Sequence, residues 1–502
     1  MPAIAYTVAF VGIDAQLVEV QASVGSGMPG FGIVGLPDKA INEARDRVRA
    51  AFDAIRVGLP PRRVTVNLSP ADLPKEGSHF DLPIALAVLA AMEVIPADEL
   101  ERVVSMGELS LDGRLKRVAG ALPAAMAAAE DARSLICPRD CGAEAALVGA
   151  VPVFAPDSLR AAVDHITGRA PLSPAAPLAP EPGGPGRDLA ELRGQYRARR
   201  ALEIAAAGRH HLLMVGPPGA GKSMLAACLP GIMPPLDPAE ALETAMIQSV
   251  AGMLDKGRIT RAAPFREPHH TASMAAMIGG GKGARPGEVS LAHNGVLFMD
   301  ELPEFGRAVL DTLRQPIETG MVTIARAAMH ARYPCRFLLV AAANPCRCGY
   351  LGDPARACGR APNCGGDYMG KISGPLMDRF DLRIEVPALS IDDLTRPADG
   401  EPSAGIRARV IAARAVQAER FAGDALRTNA DATGAVLERV APLCAEGRDL
   451  MRRATERIGL TARGYHRVLR VSRTIADLAG AAQIAADHVA EAISYRLPYA
   501  TG

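Results

Sequence analysis

The residues best suited to chemistry lie in one glycine-rich loop that follows an apolar run. The loop matches the G-x-x-x-x-G-K-[ST] pattern at every fixed position, and its members are Gly216, Pro217, Pro218, Gly219, Ala220, Gly221, Lys222 and Ser223. Glycines let backbone N–H groups converge on phosphate oxygens, and a following helix adds a favourable dipole. The sequence therefore predicts that Lys222 neutralises the β- and γ-phosphates of ATP and that the Ser223 hydroxyl binds Mg²⁺.

Two carboxylates follow a second apolar run, Val296 to Met299. Asp300 is predicted to hold the Mg²⁺ through water, and Glu301 to polarise the water that attacks the γ-phosphate. An acidic turn after a strand is unremarkable by itself. Together with the phosphate-binding loop it predicts hydrolysis of ATP.

Three further polar residues complete the candidate site. Asn344 follows a third apolar run and is predicted to orient the attacking water. Arg379 lies on a predicted surface turn, where it could reach the nucleotide of a neighbouring subunit. Arg463 begins a helix whose first turn could reach the same phosphates. For each arginine, a plain surface ion pair is the alternative interpretation.

Four cysteines fall within about twenty residues, next to several glycines: Cys346, Cys348, Cys358 and Cys364. Four thiolates on glycine turns suit a tetrahedral, structural Zn²⁺ site, although the C-x-C spacing is tighter than usual. The alternative is a group of unlinked thiols. His269 and His270 could also bind a metal, but no third ligand stands at a suitable spacing, so packing or a loop role is favoured.

Length and composition indicate a soluble, cytoplasmic protein of about three domains. The chain has 502 residues, a net charge of +1 and no long uninterrupted apolar stretch. We expect a first domain at 1–168, a Pro/Gly-rich linker at 169–187, an ATPase core at 188–390 and a helical domain at 391–502. The near-neutral charge gives no general reason to expect a polyanionic partner, so a nucleic-acid surface would have to be local.

The elements around the loop alternate in the α/β manner. We predict a helix at Gln195 to Ala207, a strand at His211 to Val215 and a helix at Lys222 to Leu229. Further strands are predicted at Gly295 to Met299 and Arg336 to Ala341. This order places the loop, the carboxylates and Asn344 at the ends of strands of one sheet. The other arginines of the Arg463 helix are expected on a solvated face or in subunit contacts: Arg467, Arg470 and Arg473.

These motifs together resemble an AAA+ ATPase with an all-helical lid. Asp300 stands 78 positions after Lys222, and a strand pair is predicted at Met321–Arg326 and Ala331–Pro334. These features look like the helix-2 and pre-sensor hairpin insertions shared by replicative MCM helicases and magnesium chelatases. The segment Pro264 to Thr271, the glycines at 279–281 and the segment Arg285 to Gly295 are similar to the YifB/ComM family of magnesium-chelatase-like proteins.

The first domain is similar to the α+β Lon protease domain, notably at Gly107 to Arg114. Lon proteolysis needs a serine activated by a lysine. Where that lysine would fall, the chain has Ala121-Leu122-Pro123, and Ser78 is not in the Lon serine context. We therefore expect a non-catalytic domain, which argues against a peptidase.

The resemblance implies a homo-oligomeric ring, expected to be a hexamer, that moves DNA. Such a motor would drive branch migration of branched or single-stranded DNA during natural transformation, without a membrane partner. Three basic residues in the insertions are the candidate DNA contacts: Arg326, Lys282 and Arg285. The alternative is a magnesium-chelatase-like chaperone that remodels a protein or metallocofactor partner. The first domain is taken to favour DNA, because magnesium chelatase is expected to lack it.

Overall fold

The computed structural model describes residues 2–35, 38–179, 186–254, 257–326, 329–351, 356–390, 395, 400–424 and 426–496, except for the side chains at positions 282, 326 and 329. In this part of the chain, no helix is long and apolar enough to cross a membrane. The segment predicted as a linker has neither helix nor strand where it is described, and its residues 180–185 lie outside the described part. Its Ala175 N–H donates to the Val153 carbonyl over 2.7 Å, which ties this stretch to the N-terminal region.

The N-terminal region is built on a mixed β-sheet. Its strands are β1 (Ala3–Val11), β2 (Asp14–Gly25), β3 (Gly30–Val34), β4 (Arg63–Ser69), β5 (Val103–Ser105), β6 (Glu108–Leu109), β7 (Leu115–Lys116), β8 (Ser134–Ile136) and β9 (Val153–Phe154). Seven of them form one sheet in the order β3-β4-β2-β1-β5-β8-β9, and β6 pairs with β7. Val18, Val20 and Ala22 of β2 are buried in alternation, as expected for a strand with one face on the core.

The helices of this region cover that sheet. They are α1 (Lys39–Ala54), α2 (Asp81–Ala91), α3 (Ala97–Glu101), α4 (Ala121–Glu130), α5 (Arg139–Ala145) and α6 (Leu159–Ile166). Helix α1 begins where the Asp38 side chain accepts a hydrogen bond from the Ile41 N–H. Helix α2 is apolar on all sides, and it is buried from Asp81 to Ala90, so it forms the centre of the core.

The central region contains the predicted α/β elements. Its strands are β10 (Leu212–Val215), β11 (Phe265–Arg266), β12 (Gly279–Gly280), β13 (Arg285–Pro286), β14 (Val296–Met299), β15 (Met321–Arg326), β16 (Met329–Pro334), β17 (Leu338–Ala343) and β18 (Leu382–Glu385). Its helices are α7 (Tyr196–Gly208), α8 (Lys222–Ala227), α9 (Leu229–Ile232), α10 (Pro238–Ala251), α11 (Met274–Ile278), α12 (Glu288–Leu291), α13 (Arg307–Thr312), α14 (Arg314–Thr319), α15 (Asn363–Met369) and α16 (Gly374–Met377).

Five of these strands form one parallel sheet in the order β11-β14-β17-β10-β18. Every residue of β10, β14 and β17 is buried, because helices cover both faces. The sheet brings the carboxyl ends of β10, β14 and β17 side by side. The loop, the carboxylates and Asn344 follow these three strands, as the sequence predicts.

The two predicted insertions are each a two-stranded antiparallel sheet, β12–β13 and β15–β16. They also contact each other, because the Tyr333 hydroxyl donates to the Ala284 carbonyl over 2.9 Å. Gly279 explains the close approach: a Cβ there would lie 2.8 Å from the Ile324 Cδ1 atom. The insertions therefore form one joint element beside the sheet.

Beyond residue 400 the described chain is helical, as predicted. The helices are α17 (Ser403–Arg420), α18 (Gly434–Val440), α19 (Ala445–Ile458), α20 (Ala462–Leu478) and α21 (Ala486–Ser494). Buried side chains such as Val468 and Ile475 of α20 share one apolar core with Leu202 of α7 and Leu212 of β10. The helical region is thus packed firmly against the sheet.

The N-terminal region is docked on the central region by specific bonds. Ser249 of α10 donates to the Glu144 carboxylate over 2.5 Å and accepts at its carbonyl from the Gly120 N–H over 3.0 Å. Leu122 of α4 packs with Ala245 and Leu254. On the other side, Gly12 in the turn between β1 and β2 lies against the backbone of Arg332 in the β15–β16 hairpin.

Candidate functional site

The phosphate-binding loop joins β10 to α8 and is shaped by its glycines. Gly219 and Gly221 adopt φ values of +76° and +86°, a region that favours glycine. A Cβ on Gly216 would lie 2.0 Å from the Val386 carbonyl oxygen, so no larger residue fits there. The Lys222 ammonium donates to the carbonyls of Gly216 (2.7 Å) and Pro217 (2.9 Å).

Lys222 also joins the loop to the neighbouring strand. Its ammonium donates to the Asn344 side-chain oxygen over 3.1 Å. Burial lowers the pKa of Lys222, while the carboxylates of Asp300 and Glu301 oppose that shift. The structure therefore brings Asn344, the lysine and both carboxylates to one place, as the motif spacing predicts.

The hydroxyl and carboxylate expected to hold Mg²⁺ are in direct contact. Ser223 Oγ donates to Asp300 Oδ2 over 2.7 Å, and the Glu301 N–H donates to Asp300 Oδ1 over 2.9 Å. Oxygen ligands of this kind are what Mg²⁺ prefers. A cleft of about 380 Å³ lies over these groups and is lined by the loop, both carboxylates and Asn344. These residues fit a nucleoside triphosphate with its Mg²⁺ ion.

Arg379 and Arg463 do not line this cleft. Both line a second cavity, of about 420 Å³, between α14, the turn before β18 and the helical region. Arg379 is buried and not on a surface turn as expected: its guanidinium is ion-paired with Glu318 and donates to the Pro375 carbonyl over 2.6 Å. Arg463 is exposed in the first turn of α20. Both arginines therefore lie apart from the phosphate-binding loop of their own subunit.

The second cavity is strongly basic. Besides those two arginines, its lining cations are Arg209, Arg336, Arg467 and Arg470, against the carboxylates of Glu318, Asp381 and Asp431. Such an excess of guanidinium groups suits a polyphosphate. The cavity is therefore the second half of a candidate nucleotide site.

The basic stripe of α20 was expected on a solvated face or in subunit contacts, and the first of these is wrong. Arg473 is buried and donates to the Asp477 carboxylate over 3.0 Å. Arg467 donates to Asp381 Oδ1 over 2.6 Å and to the Arg379 carbonyl over 2.9 Å. Asp381 was not predicted from the sequence as part of the site, although it stands two residues after Arg379.

The four clustered cysteines contact one another. Cys346 Sγ and Cys348 Sγ lie 3.1 Å apart. Hydrogen bonds from the Tyr350 backbone and the Cys346 thiol lower the pKa of Cys348 to about 7, whereas burial and bonds with Cys358 and Cys346 raise the pKa of Cys364 to about 12. Among the described residues, no three or more His, Cys, Asp or Glu side chains are arranged to hold a metal ion. The structure therefore gives the predicted zinc site no support, and zinc binding stays a prediction.

The candidate DNA contacts are placed only in part. Arg326 ends β15 and Lys282 lies between β12 and β13, but both side chains are outside the described part. Arg285 begins β13 and is exposed. All three therefore belong to the joint element that the two insertions form.

His270 is a contact of the site that sequence reasoning left open. Its Nδ1 atom lies 3.6 Å from Glu301 Oε2. The two-residue strand β11, which pairs with β14 and brings His270 to this edge of the sheet, was not predicted from the sequence.

Comparisons with known proteins agree with this architecture. Residues 188–394 match the family described as "Magnesium chelatase, subunit ChlI", residues 18–141 match "Subunit ChlI of Mg-chelatase", and residues 400–496 match the C-terminal family of the same subunit. The description of the N-terminal family does not test whether magnesium chelatase lacks this domain, so that expectation stays a prediction.

Several full-length relatives are similar to the chain. Competence protein ComM of Haemophilus influenzae is 44% identical over 501 residues, covering 98% of this chain and 97% of the relative. YifB of Salmonella typhimurium is 42% identical, covering 98% and 97%. YifB of Escherichia coli is 40% identical, covering 98% and 96%.

Proposed function

Because the chain belongs to the YifB/ComM family of magnesium-chelatase-like AAA+ ATPases, we propose that it is an ATP-hydrolysing, ring-forming motor that moves DNA. The motor would drive branch migration during homologous recombination of incoming DNA. The name of the Haemophilus relative, a competence protein, supports this role. We also propose a cytoplasmic location from the similarity to the same relative.

The proposal rests on the separation between the cleft at the phosphate-binding loop and the basic cavity. Lys222, Ser223, Asp300 and Glu301 share one cleft, whereas Arg379 lines another. An arginine that completes an ATPase site must reach the γ-phosphate. If the basic cavity of one subunit covers the cleft of the next, each ATP lies between two subunits, and identical head-to-tail contacts close into a ring. We propose a hexamer.

In this arrangement the chain's residues divide the work. Lys222 binds phosphate, Ser223 and Asp300 hold Mg²⁺, and Glu301 takes a proton from the attacking water. Asn344 orients that water. Arg379 and Arg463 of the neighbouring subunit supply positive charge, which stabilises the transition state.

The joint element of the two insertions is the proposed DNA surface. Arg326, Lys282 and Arg285 would contact phosphates without reading sequence, and ring symmetry would multiply their charge. This reconciles DNA binding with a net charge of +1.

We also propose that the N-terminal domain is a non-catalytic relative of the Lon protease domain. The Ser78 hydroxyl donates to the Glu108 carboxylate, and the Lys75 ammonium donates to the Pro70 carbonyl. A Ser–Lys dyad would require these two groups to bond to each other, but each bonds to a different partner.

The alternative is a chaperone that remodels a protein or metallocofactor partner, which the magnesium chelatase family matches favour. ATPase assays with forks, Holliday junctions and single strands separate the two. A motor should hydrolyse ATP several-fold faster with branched DNA, and Arg326→Ala should remove that rise but keep the basal rate. Arg452→Ala, which changes an exposed arginine of α19, is the matched control. If no form of DNA changes the ATPase rate, the DNA proposal is wrong.

A further inference from the structure

Strand β2 connects two well-separated ends of the N-terminal sheet. It begins next to the turn that carries Gly12, where a Cβ would lie 2.6 Å from the Arg332 carbonyl oxygen in the β15–β16 hairpin. The strand then runs for 12 residues, from Asp14 to Gly25. At about 3.3 Å per residue, its two ends are about 36 Å apart. The end at Gly25 is therefore far from the hairpin.

Two consecutive arginines lie at this far end. Arg63 is paired with Gly25 of β2 and with Gly30 of β3, and Arg62 directly precedes it. A Cβ on Gly27 would stand 3.9 Å from the Arg63 Cβ atom, so the loop between β2 and β3 passes close to Arg63. The first residues of β4 and this glycine-containing loop thus form one surface.

Helix α1 supplies two more arginines. It joins the parallel strands β3 and β4, so its C-terminal end lies at the end of the sheet where β4 begins. Arg56 directly follows the helix cap, and its N–H donates to the Asp53 carbonyl over 3.0 Å. Arg49 lies in the second half of the same helix. The chain therefore returns to the far end of the sheet with arginines on both sides of the connection.

We call these four residues the distal arginine cluster: Arg49, Arg56, Arg62 and Arg63. All four are exposed, and among the described residues no carboxylate lies within ion-pairing distance of any of them. Other arginines of α1 are paired, Arg45 with Asp46 at 3.2 Å and Arg47 with Asp81 at 2.6 Å. Asp53 is the one acidic residue between positions 48 and 63. The far end of the sheet thus carries positive charge that its own residues do not neutralise.

The chemistry of the cluster suits a polymer of phosphates. Exposed guanidinium groups form charge-assisted hydrogen bonds with phosphate oxygens. The four arginines are spread over a helix and the start of a strand on an open surface, which matches an extended polyanion better than one small phosphate. In a ring, the cluster would be repeated in every subunit, and its positive potential would add up.

We propose that the distal arginine cluster is a second binding site for the DNA backbone, about 36 Å from the hairpin. The inference rests on the proposed function for the identity of the polymer. It extends that function by giving the N-terminal domain a ligand and by setting a length requirement. Because base pairs follow one another at about 3.4 Å, a duplex must exceed about 11 base pairs to reach both sites.

Fluorescence anisotropy on the full chain, with a non-hydrolysable ATP analogue, tests this with labelled duplexes of about 10 and about 40 base pairs. The double variant Arg62→Ala/Arg63→Ala should bind the long duplex about tenfold more weakly and the short duplex within about twofold of the wild type. Its slope of log affinity against log salt for the long duplex should be smaller by at least about 2, because two phosphate contacts are lost.

Two further variants control for charge and for folding. Arg62→Lys/Arg63→Lys keeps both charges and should regain most of the affinity for the long duplex. Arg45→Ala removes an exposed arginine of α1 that is already paired with Asp46, and it should bind both duplexes as the wild type does. The midpoint of thermal unfolding should be unchanged in the alanine double variant, because both side chains are exposed.

The outcomes separate this inference from the proposed function. Wild-type affinity and salt slope in Arg62→Ala/Arg63→Ala, or equal losses for both duplex lengths, would overturn the distal site, whereas stimulation of the ATPase by forks would leave the DNA motor standing. Binding of the wild type to vesicles of phosphatidylglycerol that is lost in the double variant, with DNA affinity unchanged, would assign the cluster to a lipid surface and overturn the inference. If the wild type binds neither duplex and its ATPase ignores DNA, both proposals are wrong.

Discussion

The Arg467 guanidinium donates to Asp381 Oδ1 over 2.6 Å and so ties α20 to the turn that carries Arg379. Asp381 is buried, and its N–H and that of Leu382 both bond to the His211 carbonyl. Arg463 stands four positions before Arg467, and Arg379 stands two positions before Asp381. The pair therefore fixes the two arginines relative to each other. Both arginines should move together when the helical region moves.

Asp381→Asn should destabilise the protein by about 3 kcal/mol at neutral pH, because it leaves Arg467 partly buried beside an uncharged partner. Burial would raise the pKa of Asp381, but Arg467 and His210 outweigh it and hold that pKa well below its ordinary value. A lowered folded-state pKa stabilises above the unfolded pKa of about 4 and loses that stability as pH falls towards the folded value. Denaturant unfolding should thus show the gap between wild type and Asp381→Asn shrinking below about pH 4. A gap that is independent of pH would contradict this.

Glu301→Gln should separate binding from hydrolysis. The carboxylate lines the cleft but makes no hydrogen bond to Lys222, which bonds to Gly216, Pro217 and Asn344 instead. We expect kcat to fall by about 100-fold or more, as for loss of a general base, with nucleotide affinity changed less than about threefold. Lys222→Ala should instead abolish binding of a fluorescent ATP analogue. Equal loss of affinity in both variants would argue against the assigned roles.

Mixing inactive variants tests whether the basic cavity serves a neighbour. Lys222→Ala damages the cleft, whereas Arg379→Ala and Arg463→Ala each damage the cavity. Mixed rings contain some interfaces with an intact cleft and an intact cavity. We therefore expect ATPase activity to reappear when Lys222→Ala is mixed with either arginine variant.

A mixture of Arg379→Ala with Arg463→Ala is the matched control. If both arginines act on the same neighbouring nucleotide, the mixture should regain none of that activity, since no subunit in it has a cavity with both arginines. Full recovery in this mixture would show that the two arginines serve different nucleotides. The wild-type rate should also rise more than linearly with protein concentration, as assembly completes the sites.

The cleft could be predicted from the sequence because its parts are local. A strand, a glycine loop and a helix follow one another, and each carboxylate or amide directly follows an apolar run such as Val296 to Met299. Parallel strands then bring Asp300 and Asn344 beside the loop without further information. The bounds of β14 differ from those predicted by one residue at one end, and those of α7 by one residue at each end.

The basic cavity could not be predicted, because it depends on how the helical region packs. Spacing shows that Arg463, Arg467 and Arg470 share a face of a helix, but not that this face meets Asp381 and Arg379. The cysteines mark another limit of the sequence. Their spacing predicts four ligands around a metal, and the described residues give that site no support, so zinc binding stays a prediction.

Gly12 is predicted to hold the N-terminal region against the β15–β16 hairpin. It lies in the turn between β1 and β2 with φ +72°, and a Cβ there would stand 2.6 Å from the Arg332 carbonyl oxygen. Gly12→Ala should therefore force the turn off the hairpin, in addition to a cost of about 1 kcal/mol for the left-handed backbone. Hydrogen exchange in β16 should become faster.

Gly149→Ala provides the matched control for that experiment. Gly149 has a similar φ of +67°, yet no atom lies within 4 Å of where its Cβ would be. Both variants share the backbone cost, so only the contact with Arg332 distinguishes them. We expect faster exchange at the hairpin in Gly12→Ala alone. Because strand β15 of that hairpin ends at Arg326, Gly12→Ala should also alter the response of the ATPase to DNA. Equal exchange rates at the hairpin in both variants would mean that the turn does not restrain the hairpin.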